Sequence, residues 1–174
     1  MPLSAGVERL TVEQFRQKYA ERKPYFELLG GEAIQKAMPT KAHAVLQFLL
    51  CVMLRELGFK SFPELTLAID ASWEPTPDVC GVLEPVDGPY PTRAVAVAIE
   101  ILSPEDRFTR VLQKCRQYAD WGIADILVFD PAGREAWCWR ADGLSRVGQS
   151  YAFRNKPVEL NIAEVFQRFD ADFI

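Results

Sequence analysis

The stretch that decides the fold is AVAVAIEILSP, residues 94–104. Its side chains alternate between two faces, which predicts a buried β-strand over residues 93–102 that ends at Ser103-Pro104. One face carries Val95, Val97, Ile99 and Ile101, and the other carries Ala94, Ala96, Ala98, Glu100 and Leu102. Glu100 stands out because a charge on a buried strand is costly unless it is exposed, paired or bound to a metal.

The sequence after this strand predicts a helix over Glu105–Trp121, ended by Gly122, and an apolar strand over Ala124–Asp130. A helix between two buried strands implies a parallel pair joined by a right-handed crossover. The remaining predicted elements are a hairpin, Glu135–Arg140 with Leu144–Gln149 around Asp142-Gly143, and a short helix, Ile162–Phe169.

The sequence before the central strand also predicts mixed elements. Thr11 begins a helix with Gln14 at capping-box spacing. The further elements are a hairpin of Tyr25–Leu29 and Ala33–Lys36 around Gly30-Gly31, a helix over Lys41–Leu57 with an apolar stripe of Val45, Phe48, Leu49, Val52 and Met53, and strands over Glu64–Ile69 and Asp78–Val82. This order predicts an α/β (α+β) fold, a mixed sheet flanked by helices.

Composition bounds the class of protein. With 174 residues, 49% hydrophobic and 25% charged, the chain fits one domain over residues 1–174. The net charge of −4 argues against a protein that coats nucleic acid, so any DNA binding must use a local basic surface. The cysteines lie in apolar runs without CxxC spacing, which favours reduced structural thiols over zinc or disulfides: Cys51, Cys80, Cys115 and Cys138. No secretion signal or membrane span is predicted, which suggests a cytoplasmic protein.

The acidic residues are the candidates for chemistry. No GxGxxG or Walker loop is present, and the single histidine, His43, excludes an HExxH zinc site. Asp78 follows Pro77 at the start of a short strand. If that strand neighbours the strand of Glu100, at about 4.8 Å, the two carboxylates could share one hard cation such as Mg²⁺. The alternative is that Asp78 is an ordinary turn residue and that Glu100 forms a salt bridge at the end of its strand.

The helix after Glu100 is rich in cations. Arg107, Arg110, Lys114 and Arg116 lie within ten residues, and Arg110, Lys114 and Tyr118 share one helix face. That face could bring an ammonium group toward a phosphate or a water molecule near the acids. A solvated basic face is the alternative interpretation.

Eight segments in this order resemble the Uma-type restriction endonuclease family, part of the PD-(D/E)XK nuclease superfamily, over about Thr11 to Arg140. The resemblance depends on their order and spacing, since no single motif is specific. The segments are Tyr25-Phe26-Glu27-Leu28-Leu29-Gly30-Gly31-Glu32, His43, Pro77-Asp78-Val79, Ile99-Glu100-Ile101-Leu102-Ser103-Pro104, Lys114, Tyr118, Gly122 and Val128-Phe129-Asp130-Pro131.

The resemblance implies a restriction-endonuclease-like core and Mg²⁺-dependent hydrolysis of DNA phosphodiester bonds, with Mn²⁺ able to replace Mg²⁺. Asp78 matches the aspartate of the PD motif and Glu100 the following acid, so both would ligate the metal. Glu27 matches an upstream acid that assists. The superfamily lysine two residues after the second acid is replaced here by Leu102. The Uma-type pattern offers a lysine from the next helix, which is Lys114, to act on water or phosphate.

The remaining predictions concern DNA contacts, His43 and the oligomeric state. Arg107 and Arg110 would hold the DNA backbone, His43 would have a structural or supporting role, and a homodimer follows by analogy with nucleases of this fold. Leu102 and the acidic net charge favour a second hypothesis, a catalytically inactive module of the same fold that binds nucleic acid or protein. A third is a small-molecule-binding or structural domain, in which the two acids and the lysine lie far apart.

Overall fold

The computed structural model describes residues 9–141 and 143–173. The predicted turn residue Asp142 and residues 1–8, where no secretion signal is predicted, lie outside these ranges. The helices are α1 (Val12–Tyr19), α2 (Lys41–Glu56), α3 (Phe108–Trp121) and α4 (Ile162–Phe173). The strands are β1 (Phe26–Leu29), β2 (Glu32–Gln35), β3 (Lys60–Pro63), β4 (Val79–Val82), β5 (Val97–Ile101), β6 (Asp125–Asp130), β7 (Glu135–Arg140), β8 (Gly143–Arg146), β9 (Ser150–Ala152) and β10 (Glu159–Asn161).

Local signals set the ends of the helices. At the start of α1, the Gln14 backbone N–H donates to the Thr11 hydroxyl at 3.3 Å and the Thr11 N–H donates to the Gln14 side chain at 2.9 Å, which confirms the predicted capping box. Gly122 ends α3 with a φ of 103°, a left-handed conformation that favours glycine. Helix α3 begins at Phe108, three residues later than predicted.

In the described part of the chain, six strands form the main sheet in the order β3-β4-β5-β6-β7-β8. Strands β5 and β6 are parallel and are joined through α3, whereas the other neighbours are antiparallel. Two small antiparallel pairs, β1 with β2 and β9 with β10, stand apart from this sheet. The predicted mixed sheet flanked by helices is therefore confirmed.

Strand β5 lies at the centre and is buried on both faces. Ile99 and Ile101 pack with α2 and α4, whereas Ala98 on the opposite face packs with α3. Burying a side chain such as Ile99 contributes about 1.5–3 kcal/mol, so both faces of this strand hold the domain together. The strand is shorter than the predicted residues 93–102, but its alternation is as predicted, and Glu100 shares the α3 side with Ala98.

The strand predicted over Glu64–Ile69 is wrong. The strand that pairs with β4 is instead β3, the segment just before residues 64–69, with Lys60 opposite Val82. Residues 64–69 run beside the proline-rich segment 74–77, where the Leu67 N–H donates to the Pro75 carbonyl at 2.9 Å. Proline has no N–H to return, so no regular ladder forms there.

The predicted apolar stripe of α2 is only partly correct. Leu49 and Met53 are buried, but Val45 and Val52 are only half-buried and Phe48 is 70% exposed. The buried face also carries Leu46, Leu50 and Leu54, because α2 packs against both the sheet and α4. The stripe is therefore rotated around the helix relative to the prediction.

Two further features complete the fold. The strands β9 and β10 were not predicted, and α4 extends past the predicted Phe169. The four cysteines are free, as the thiol interpretation requires, and burial raises the pKa of Cys80 and of Cys115 to about 12. Among the helices in residues 9–141 and 143–173, none has the length and apolar character needed to cross a membrane.

Candidate active site

The two predicted metal ligands lie on neighbouring strands. Asp78 directly precedes β4, Glu100 lies within β5, and the strands pair antiparallel with Val79 opposite Ile99. The Ile101 backbone N–H donates to Asp78 Oδ2 at 2.7 Å, which ties the aspartate to the strand that carries Glu100. Both side chains are buried.

Helix α3 brings the predicted lysine to the same place. Lys114 Nζ lies 2.8 Å from Glu100 and 2.8 Å from Glu27 Oε1, and its side chain is 6% exposed. One turn later, the Tyr118 hydroxyl donates to Glu100 Oε1 at 2.7 Å. The helical spacing of Lys114 and Tyr118 thus directs both side chains onto one carboxylate, and the solvated basic face is wrong for these two residues.

Glu27 reaches this centre from the separate hairpin of β1 and β2. Its Oε1 accepts the Thr76 N–H at 2.6 Å in addition to contacting Lys114. The hairpin is attached through Leu28, whose carbonyl accepts the Glu74 N–H at 2.9 Å. We call Glu27, Glu100, Lys114 and Tyr118 the inner cluster.

A second group surrounds Asp78, and two of its members were not predicted as site residues. Lys36 Nζ lies 2.8 Å from Glu64 Oε2, 3.2 Å from Asp78 Oδ1 and 3.0 Å from the Thr76 carbonyl. His43, in the first turn of α2, places Nε2 3.5 Å from Asp78 Oδ1. We call Lys36, His43, Glu64 and Asp78 the rim cluster.

No sequence signal marks Lys36 or Glu64. Lys36 ends a short hairpin strand and Glu64 follows Pro63, positions where charged residues are ordinary. The predicted phosphate-binding residues lie farther along the chain: Arg107 is exposed before α3, and Arg110 is half-buried four residues before Lys114.

The charges within the site perturb one another. Burial raises the pKa of Glu100 to about 7 although Lys114 opposes the rise, and nearby Asp78 and Glu27 add to it. For Asp78, burial opposes ionisation, but the bond to His43 and the charge of Lys36 hold the pKa well below its usual range. Burial alone would lower the pKa of Lys114, but Glu100 and Glu27 raise it, so this lysine keeps its proton.

The donor set fits a divalent cation. When all groups are ionised and His43 is neutral, the buried carboxylates of Glu27, Asp78 and Glu100 exceed the ammonium groups of the two lysines by one negative charge, and exposed Glu64 adds a second. Uncompensated buried charge costs several kcal/mol, so a doubly charged cation would relieve the excess. Ligand atoms of His43, Glu64 and Asp78 also lie within 4.8 Å of one another, a spacing that can hold a metal ion.

Comparison with known proteins places the chain in a family. The profile described as "Uma2: Putative restriction endonuclease" matches residues 12–172. A solved structure of a "putative nuclease belonging to DUF820" from Anabaena variabilis ATCC 29413 superposes with a TM-score of 0.76 at 20% identity, covering 92% of this chain and 99% of that one. That identity shows a shared fold.

Two further comparisons add less. A DrdV–DNA complex superposes with a TM-score of 0.42 at 15% identity, over 76% of this chain and 12% of that one. No curated protein matches the sequence. The fold, the converging acids and lysine and the match over residues 12–172 agree, and the chain belongs to the Uma2 family of restriction-endonuclease-like proteins.

Proposed function

We propose that this protein is a metal-dependent DNA endonuclease that hydrolyses phosphodiester bonds. The catalytic residues in this proposal are Asp78, Glu100, Lys114 and Glu27. The observation that carries the proposal is the buried Lys114, whose ammonium contacts Glu27 and Glu100 beside Asp78 in a site with excess negative charge. A stability role alone gives no reason to bury so many charges, because apolar side chains of similar size would serve as well. Family membership supports the nuclease class.

Asp78 and Glu100 would hold Mg²⁺, which Mn²⁺ can replace, because carboxylate oxygens suit both ions. When bound, the cation would supply a Lewis acid that screens the phosphate and activates water. The Ile101 N–H fixes Asp78, and the Tyr118 hydroxyl fixes Glu100. These contacts orient both carboxylates before any ligand arrives.

Lys114 would act as a charged donor. Its raised pKa means that it keeps its proton, so it stabilises negative charge on the phosphate and orients water without acting as a base. Glu27 accepts the Thr76 N–H and holds the ammonium group in place. A lysine from α3 thereby replaces the one that Leu102 does not provide.

DNA would be attracted locally. Arg107, at the N-cap of α3, and Arg110, in its first turn, precede Lys114 and would contact the phosphate backbone, whereas the net charge of −4 disfavours binding over the whole surface. A homodimer that cuts both strands follows by analogy with nucleases of this fold, and the free cysteines favour a cytoplasmic location.

The test is plasmid nicking in Mg²⁺, comparing the wild-type protein with Asp78→Asn. Loss of a metal-ligating carboxylate is expected to reduce the rate by about a hundredfold or more, and EDTA should abolish the reaction. Asp87→Asn is the control, since Asp87 is exposed and bonds only weakly to Arg93 at 3.5 Å. Nicking that survives Asp78→Asn would refute the assignment, and DNA binding without nicking would indicate an inactive module.

A further inference from the structure

We propose that the Lys36 ammonium is an internal counter-cation that occupies the position between Asp78 and Glu64 and is displaced when a divalent cation binds Asp78. Lys36 would thus set the metal affinity of the site without being a ligand. The inference deepens the proposed function, because it rests on metal binding at Asp78.

The first argument is the limited access to Asp78. Its Oδ2 accepts the Ile101 N–H at 2.7 Å, a bond within the sheet that fixes the side chain. Its Oδ1 faces Lys36 at 3.2 Å and His43 at 3.5 Å. A cation that binds Oδ1 of Asp78 therefore meets an ammonium group of the same sign, and the two repel.

Second, the Lys36 side chain can move away from Asp78 into solvent, whereas the Lys114 side chain cannot leave its site. Lys36 follows β2 at the edge of the small hairpin, its side chain is 15% exposed, and residues 38–40 after it are exposed. Its partner Glu64 is 44% exposed. Lys114 lies in the middle of α3 beneath Glu27 and Glu100 and has no comparable route to solvent. We therefore expect the exchange of a lysine ammonium for a metal cation to occur in the rim cluster.

The third argument is that the remaining polar atoms of the rim cluster are already oriented. Gln47 donates to Glu64 Oε1 at 3.0 Å and to the Asp78 carbonyl at 2.9 Å. The Ser103 hydroxyl lies 3.4 Å from His43 Nδ1, which leaves Nε2 directed at Asp78. Withdrawal of Lys36 thus leaves oxygen and nitrogen atoms within 4.8 Å of one another around the vacated position.

The test is Mn²⁺ binding, measured by electron paramagnetic resonance and calorimetry on the metal-free protein. Lys36→Met should bind Mn²⁺ about tenfold more tightly than wild type, because no ammonium group competes for Asp78. Lys36→Arg keeps the charge and should bind no more tightly than wild type. Lys60→Met is the matched control: it removes the same charge from an exposed position on β3, and its affinity should stay within about twofold of wild type.

A second measurement uses the wild-type protein and does not depend on whether Lys36→Met folds. Mn²⁺ should increase acylation of Lys36 by an amine-reactive reagent severalfold, as read by mass spectrometry, because the displaced side chain enters solvent. Lys114, whose side chain is 6% exposed, should stay unreactive with or without Mn²⁺.

The outcomes separate the two proposals. Lys36→Met with wild-type or weaker Mn²⁺ affinity, or Lys36 acylation that Mn²⁺ does not increase, would overturn the role of Lys36 and leave the nuclease proposal intact. Mn²⁺ binding by Lys36→Met alone would show that the Lys36 ammonium blocks the site, and would contradict both its displacement and the metal dependence of the native chain. Absence of Mn²⁺ binding in both proteins would overturn both proposals.

Discussion

The inner cluster and the rim cluster contain the same kinds of group but differ in surroundings. Each pairs two carboxylates through one lysine at 2.8–3.2 Å. Lys114 of the inner cluster is 6% exposed on a helix, whereas Lys36 of the rim cluster is 15% exposed at the end of a hairpin. Groups of the same charge can therefore have different roles: burial fixes the inner pair, and we expect the rim pair to exchange its cation.

The largest expected effect on stability comes from removing the lysine of the inner cluster. Lys114→Met leaves Glu27 and Glu100 buried without a positive charge, which should lower the free energy of unfolding by about 3–5 kcal/mol, measured by urea denaturation. Adding Glu100→Gln should recover part of the loss because it removes one uncompensated charge. Lys36→Met should cost clearly less, because its partner Glu64 is 44% exposed and buried Asp78 keeps the Ile101 N–H and His43 as partners. Equal losses in the two lysine variants would contradict the distinction.

A smaller effect is expected when the inner cluster loses one hydrogen bond. Tyr118→Phe removes the donor to Glu100 and should lower the free energy of unfolding by about 1.5–3 kcal/mol, because the acceptor is charged and buried. Tyr151→Phe is the matched control, since the Tyr151 hydroxyl donates to buried Asp125 at 2.8 Å outside the site. Both variants should lose similar stability, but only Tyr118→Phe should slow nicking. Equal nicking rates would show that the bond to Glu100 has no part in the reaction.

The pH dependence of stability tests the burial of Glu100. Because burial raises its pKa from an ordinary 4.5 to about 7, the folded protein retains a proton in this range that the unfolded chain releases. The stabilisation from this group is complete below pH 4.5 and is lost as the pH rises to about 7. In EDTA, the free energy of unfolding of the wild type should therefore contain a decreasing contribution across this window. Glu100→Gln should lack that contribution, and a variant with the wild-type slope would contradict the burial argument.

The smallest effect is expected in the rim cluster. Glu64→Gln removes one charge from a partly exposed pair with Lys36, and its free energy of unfolding should change by about 0–1 kcal/mol. Thermal denaturation in EDTA measures the change. A loss as large as that of Tyr118→Phe would show that the rim cluster is as tightly coupled as the inner one.

The sequence predicts the parts of the fold that local signals determine. The capping box at Thr11, the glycine after α3 and the alternation around Ile99 correspond to contacts within a few residues or to one buried strand. The false strand over Glu64–Ile69 lies beside the proline-rich segment, whose prolines cannot complete a ladder, and the misplaced face of α2 depends on α4, which lies far away along the chain. Residue pattern alone supplies neither partner.

The candidate site likewise contains residues that the sequence predicts and residues that it does not. Asp78, Glu100, Lys114 and Glu27 were predicted because they occupy positions of a family pattern, and the fold brings them together. Lys36 was not predicted as a site residue because its position carries no pattern, and only the return of the hairpin toward the proline-rich segment places its ammonium beside Asp78.

Metal binding at Asp78 and Glu100 can be observed in an anomalous difference map from crystals soaked in Mn²⁺. We expect a peak at coordination distance from the carboxylate oxygens of Asp78 and Glu100, with Lys36 turned away from Asp78. A map without a peak at these carboxylates, from crystals that bind Mn²⁺ elsewhere or not at all, would contradict this expectation.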